Sequence, residues 1–167
     1  MTKVDCRFGW VQSEAEWREL AAFFATTIAD DPSYISHGEV QTSLSLDGVS
    51  WAPDLAERFL KEMSRSSEPR SLLAGRDRTG RIVAAANVTW SEEPGEVLFG
   101  TIQDMAVTPS LRSAGLGAEM LALIESEARS RGISWLFLES GRENKRAHAF
   151  FNRHGLRELS HVFGKRL

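Results

Sequence analysis

Residues Met105 to Ala118 join an apolar strand to an amphipathic helix through one proline and two glycines. The strand must end at Val107, because Pro109 lacks the N–H that a sheet ladder needs. A helix then opens within the pair Gly115 and Gly117. A helix N-terminus carries unpaired N–H groups and the positive end of the helix dipole, and both favour a bound phosphate. Glycine lets the backbone approach such an anion with no Cβ in the way. Arg112 can add a charge-assisted contact. The residues therefore point to a phosphate or pyrophosphate site, and they leave open a bare strand-to-helix turn that happens to hold glycines. Neither a P-loop nor a dinucleotide fingerprint fits, since no Gly-Lys-Ser/Thr follows and the spacing is not GxGxxG.

The rest of the chain reads as one mixed domain built around that turn. A first strand covers Val4 to Val11, and Ser13 with Glu16 forms a capping box for a helix running to Ala29. Residues 32–51 read as a long irregular stretch rich in Ser and Gly, a length more often functional than idle. A second helix starts with Pro53 in its first turn and ends by Ser66. Strands then cover Ser71–Arg76, Arg81–Trp90 and Val97–Val107, separated by turns at 77–80 and 92–95. A helix over Gly115–Arg131 leads to a fifth strand at Ser134–Glu139 and a last helix at Asn144–His154, which Gly155 stops. The alternating tail after Gly155 reads as one or two final strands. The order β-α-α-β-β-β-α-β-α-β is a meander followed by a strand-helix-strand crossover. No linker divides it, so residues 1–167 form a single domain.

Composition removes several classes. The chain has 167 residues and a net charge of −3, with a pI near 5.8. It lacks the basic footprint of a nucleic-acid binder. No stretch nears eighteen apolar residues, so a transmembrane helix is not expected. Cys6 is the single cysteine, which rules out an internal disulfide and suits a cytoplasmic setting. His37, His148, His154 and His161 lack metal-ligand spacing, so no metal is expected.

Arg112-x-x-Gly115-x-Gly117 after Val107-x-Pro109 resembles the acyl-CoA signature of the GNAT N-acetyltransferase superfamily. The later run Asn144-x-x-Ala147-His148-x-Phe150-Phe151-x-x-x-Gly155-Leu156 resembles a second segment of that family, and residues 160–167 resemble its C-terminal strand. The likeness is strongest over 70–167, the acyl-CoA-binding half, and 1–69 matches the variable acceptor side. It implies an α/β (α+β) fold with a mixed, mostly antiparallel sheet, splayed fourth and fifth strands, and helices on both faces. It also implies acetyl-CoA as cosubstrate. Backbone groups of Met105, Ala106 and Val107 would meet the pantetheine arm, and an N–H near Met105 or Ala106 would polarise the thioester carbonyl. Arg112, Ser113, Ala114, Gly115, Leu116, Gly117 and Ala118 would cradle the pyrophosphate. Asn144 and Phe151 would contact the cofactor from the last helix.

Acetyl transfer to an amine needs a base for the ammonium and an acid for the departing thiolate. Asp104 leads as base, beside Gln103 at the position where relatives often carry acid; Glu92, Glu93, Glu139 and His148 follow. The family's usual tyrosine acid falls at Phe151, which cannot donate a proton. The chain has one tyrosine, Tyr34, so water, Ser140 or Tyr34 must serve, or the thiolate leaves unaided. Asp30, Asp31, His37 and Glu39 border the acceptor side, as amine-binding groups or as a solvated loop. The expected activity is N-acetylation of a small-molecule amine. Alternatives are protein N-terminal or lysine acetylation and a non-catalytic acyl-CoA-binding module. No nucleic-acid or membrane partner is expected. Relatives are often homodimers, and the sequence leaves the oligomeric state open.

Overall fold

The computed structural model describes residues 4–65 and 69–167. Five strands form one sheet in sequence order: β1 (Arg7–Trp10), β2 (Arg70–Arg76), β3 (Ile82–Ser91), β4 (Phe99–Val107) and β5 (Trp135–Leu138). The first three pairings are antiparallel and β4–β5 is parallel. That last pairing needs a crossover, which helix α4 (Leu116–Ser130) supplies. The sheet and its two helical faces match the fold expected from the sequence.

β3 is buried from Ile82 to Trp90, because it lies in the middle of the sheet with helices on both sides. Its Ala84-Ala85-Ala86 run is fully buried, and small side chains let both helical layers close in. On one face Ala84, Ala86, Val88 and Trp90 pack with Met120, Leu121 and Ile124 of α4. On the other, Ala85 joins Ala74 and Ala106 against α1 (Glu14–Ile28) and α3 (Leu55–Arg65). Alternation along β3 places Asn87 and Thr89 on this second face. The helices meet there through Phe24 and Phe59, whose rings stack 5.6 Å apart.

The stretch 32–51 is more ordered than its composition indicates. It holds a 3-10 turn, Pro32–Tyr34, and a short helix α2, His37–Gln41. A complete capping box starts α2 at Ser36 and Glu39. At Ser13 the expected box does not form: its hydroxyl donates to the Glu16 carboxylate at 3.0 Å, and no backbone N–H is capped. Asp47 ties the following loop by accepting from the backbone N–H groups of Val49 and Ser50, each at 2.8 Å. The end of the second helix at Ser66 lies outside the described residues.

The tail is the main departure. Residues 156–167 form no strand, and Leu159, Val162 and Phe163 are exposed. An alternating sequence makes a strand only where a sheet edge and an apolar face receive it; here Leu156 packs on the core, and the residues after it are exposed. β5 therefore keeps β4 as its one partner among the described strands.

Candidate active site

β4 and β5 pair from Phe99↔Trp135 to Ile102↔Leu138 and no further. Just there the β3–β4 register shifts between Asn87 and Val88, leaving Gln103 as an extra residue in β4. Such a bulge bends its strand and re-aims the next side chains. β4 continues to Val107 while β5 stops at Leu138, and a cleft of about 720 Å³ opens between them. Met105, Ala106 and Val107 line it, with one edge of β4 facing no strand.

The glycine turn forms one end of the cleft. Ser113 and Gly115 both take positive φ, 67° and 90°, which turns the chain sharply into α4. A Cβ on Gly117 would come within 3.2 Å of the Phe150 ring, so the turn and α5 (Lys145–Arg153) already sit in contact. All of Arg112 to Ala118 except Ala114 line the cleft, as do Lys145, Arg146 and Arg153. Cations, a helix N-terminus and a backbone without side chains suit a pyrophosphate. The open β4 edge suits an amide-bearing arm. Asn144 caps α5, its Oδ1 accepting from the Ala147 N–H at 3.2 Å, and Phe151 lines the wall.

The other end is acidic and aromatic. Asp31, Glu39, Asp104 and Glu139 line it with Phe24, Trp51 and Phe59. The segment 33–38 docks tightly on the loop after β5. Gly141 is buried, and a Cβ there would collide with the carbonyl oxygens of Ser33 and Ile35. Glu139 accepts from Ser36 Oγ and from the Gly38 N–H at 3.1 Å, and pairs with His37 Nδ1 at 2.7 Å. Trp51 Nε1 donates to the Asp31 carbonyl at 3.3 Å, closing the wall.

Asp104 sits on the α1/α3 face of β4 as the strands part. Burial, reinforced by the charge of Glu62, pushes its carboxyl up to about 7. Asn87 Nδ2 donates to its Oδ2 at 2.7 Å. Gln103 lines the cleft but turns its amide to Thr89 Oγ1 at 3.0 Å. Tyr34 lines the cleft, and its hydroxyl oxygen accepts from Arg112 Nη2 at 3.5 Å. Arg112 Nε donates to the Val107 carbonyl at 3.2 Å, so the guanidinium spans β4 and the turn that holds Tyr34. Ser140 lines the cleft as well.

Several candidates lie elsewhere. Glu92 is bound to Arg131 at 3.0 Å, and neither it nor Glu93, His148, Asp30 or His37 lines the cleft. Sequence reasoning missed Asn87, Arg70, Glu62 and Gly141. One signal was present: Asn87 is the lone amide inside the apolar run 82–90. The docking of Gly141 left none, because it joins segments a hundred residues apart.

Comparison with known proteins supports this reading. A profile of the acetyltransferase (GNAT) family matches residues 19–156. An aminoalkylphosphonate N-acetyltransferase of Salmonella typhimurium is 34% identical over 69 residues, 41% of this chain and 45% of that protein. An IAA acetyltransferase of Azospirillum brasilense is 36% identical over 64 residues, 38% of this chain and 40% of that one. The aligned stretches thus span less than half the length of these curated relatives. A predicted acetyltransferase of Clostridium acetobutylicum, solved with acetyl-CoA, shares the fold at a TM-score of 0.68, with 12% identity over 96% of each chain. Taken with the parted strands and the glycine turn, the profile match over most of the chain establishes that the protein belongs to the acetyltransferase (GNAT) family.

Proposed function

We propose that the protein is an N-acetyltransferase that moves an acetyl group from acetyl-CoA to the primary amine of a small molecule, by direct attack within a ternary complex. The observation that carries this is the parting of β4 from β5 beyond Ile102↔Leu138 with Asp104 at the opening. Acetyl-CoA supplies the acetyl group as an activated thioester. The residues from Arg112 to Ala118 would hold its pyrophosphate, and the β4 edge at Met105–Val107 its pantetheine arm.

Asp104 takes a proton from the acceptor ammonium, directly or through water, and so frees the amine lone pair. With its carboxyl raised to about 7, it is a much stronger base than an ordinary aspartate while still ionised in part at neutral pH. A backbone N–H at Met105 or Ala106 donates to the thioester carbonyl oxygen as negative charge collects there. Tyr34 then donates its proton to the departing thiolate. We prefer it to Ser140 because Arg112 orients its hydroxyl at the cleft. Phe151 packs where a proton donor would otherwise stand. The products are an amide and free CoA thiol.

Two features favour a small acceptor over a protein. The segment 33–38 seals one side against Gly141 and Glu139, and aromatic walls close the acidic end. The names of both curated relatives also point to small molecules. The test is to incubate the protein with acetyl-CoA and a broad panel of amines while measuring free thiol. Release above the water control with a small amine supports the reading. Release only with peptides would favour a protein acetyltransferase. No release despite demonstrated acetyl-CoA binding would favour a binding module, the reading that Phe151 keeps open.

A further inference from the structure

Asp104 is the end of a line of polar groups that starts at the protein surface. Glu62 on α3 holds Arg70 at the start of β2, Oε1 to Nη2 at 3.2 Å. Arg70 Nη1 donates to Asn87 Oδ1 at 2.5 Å, and Asn87 Nδ2 donates to Asp104 Oδ2 at 2.7 Å. The line crosses the sheet from β2 through β3 to β4. Asn87 is fully buried, while the side chains of Arg70 and Glu62 are 6% and 19% exposed.

This arrangement is costly for the core. A buried guanidinium is generally no better for stability than a well-packed apolar side chain. Here the Arg70 Nε is buried with no hydrogen-bond partner among the described residues, which adds a desolvation penalty. Its distinguishing effect is direction. Arginine only donates, whereas an amide can offer either end. With Arg70 on Oδ1, Asn87 must turn its NH₂ toward Asp104; the flipped amide would set oxygen against carboxylate and donor against donor. Asp104 Oδ1 is left without a hydrogen-bond partner among the described residues, and the carboxylate faces the cleft.

We propose that Arg70 and Asn87 are positioning residues: Arg70, held by Glu62, sets the amide of Asn87, which fixes one oxygen of Asp104 and leaves the other for the acceptor's proton. This rests on the reading of Asp104 as the base. The charges that face Asp104 come from three elements: Glu62 on α3 and Glu39 on α2 favour its proton, and Arg70 on β2 opposes it. The Asn87 hydrogen bond also opposes it.

The line can be tested without turnover, so that its failure is separable from that of acetyl transfer. Protein carrying ¹³C at the aspartate carboxyls is titrated by NMR, with the Asp104 signal assigned by its loss in Asp104→Asn. Glu62→Gln should lower the Asp104 midpoint by about half a unit or more, and Arg70→Met should raise it by a similar amount. Opposite charges produce those opposite shifts by themselves, so positioning is read from a cycle with Asn87→Leu: the Arg70→Met shift should shrink by about half or more in that background, and an undiminished shift overturns the proposal. Midpoints that stay put, or that move the same way in both variants, overturn the proposal. If Arg70→Met does not fold, the cycle is run with Glu62→Gln, whose side chain is 19% exposed, and a shift undiminished in the Asn87→Leu background overturns the proposal. Where turnover is measurable, the acidic limb of the kcat profile should move with each midpoint while KM for acetyl-CoA holds.

Discussion

Replacing Asp104 by Asn should sharply lower activity and stabilise the fold, with a gain that depends on pH. The magnitude follows from the environment of the carboxyl. Burial first, and the charge of Glu62 next, raise it from 3.8 to about 7. That shift of about 3 units corresponds to a ceiling of roughly 4 kcal/mol. Because the folded value lies above the unfolded one, the stability is fully present below about pH 4, where both states hold the proton. Between about pH 4 and 7 the unfolded chain ionises while the folded one does not, and stability falls. Above about 7 the loss is complete. Asparagine never ionises, and its oxygen can still accept from Asn87 Nδ2. Since Asp104 retains some solvent contact, about half the ceiling is a realistic gain, roughly 2 kcal/mol at pH 8. Urea unfolding of both proteins at several pH values between about 4.5 and 8.5 gives the difference directly, provided the m-value holds. The gain should be smallest at the acid end and grow toward neutrality, while turnover at pH 8 falls by about 10²-fold or more. A stability difference that is flat across this range would refute the claim that burial keeps Asp104 protonated.

Three further outcomes follow from the same geometry. Gly141→Ala puts a methyl against the Ser33 and Ile35 carbonyls; we expect a loss of about 1–3 kcal/mol and a raised KM for the amine, with acetyl-CoA affinity unchanged by calorimetry. Gly117→Asp should cost the apo protein about 1 kcal/mol, because its Cβ presses on the Phe150 ring at 3.2 Å while an acid suits a helix N-terminus. It should nevertheless erase the melting-temperature rise that saturating acetyl-CoA produces, normally worth about 2.7 kcal/mol at a hundredfold excess over Kd. Tyr34→Phe should lower kcat by about 10²-fold without weakening acetyl-CoA binding, because Arg112 keeps its bond to the Val107 carbonyl; an unchanged kcat would return the acid role to Ser140 or to water.

The glycine turn at one end of the cleft was legible because its signal is local. Proline, arginine and two glycines within nine residues dictate where a strand ends and how a helix begins. The structure adds the positive φ of Ser113, which a serine does not announce. The acidic, aromatic end was not legible. Residues 32–51 look featureless as composition, yet the capping box at Ser36 and Glu39 starts a helix there. That segment docks through Gly141 and Glu139, partners about a hundred positions away. The tail misled for the converse reason: its alternation is real, but alternation has no consequence without an edge to join.

Asp104 and Phe151 mark the boundary between what sequence and fold each decide. A motif places an acid next to a strand end and removes the tyrosine from the last helix, and those facts need no coordinates. Local signals of this kind act within a turn or two of chain, where φ, ψ and a missing N–H leave few alternatives. Whether that acid is a base depends on how deeply it is buried, on which amide faces it, and on the charge behind the amide. Those are set by Asn87, Arg70 and Glu62, which come from three other elements and meet only once the sheet and α3 have packed. Solvent exclusion and the direction of a hydrogen bond belong to the assembled structure, so the tertiary fold alone supplies the chemistry of Asp104.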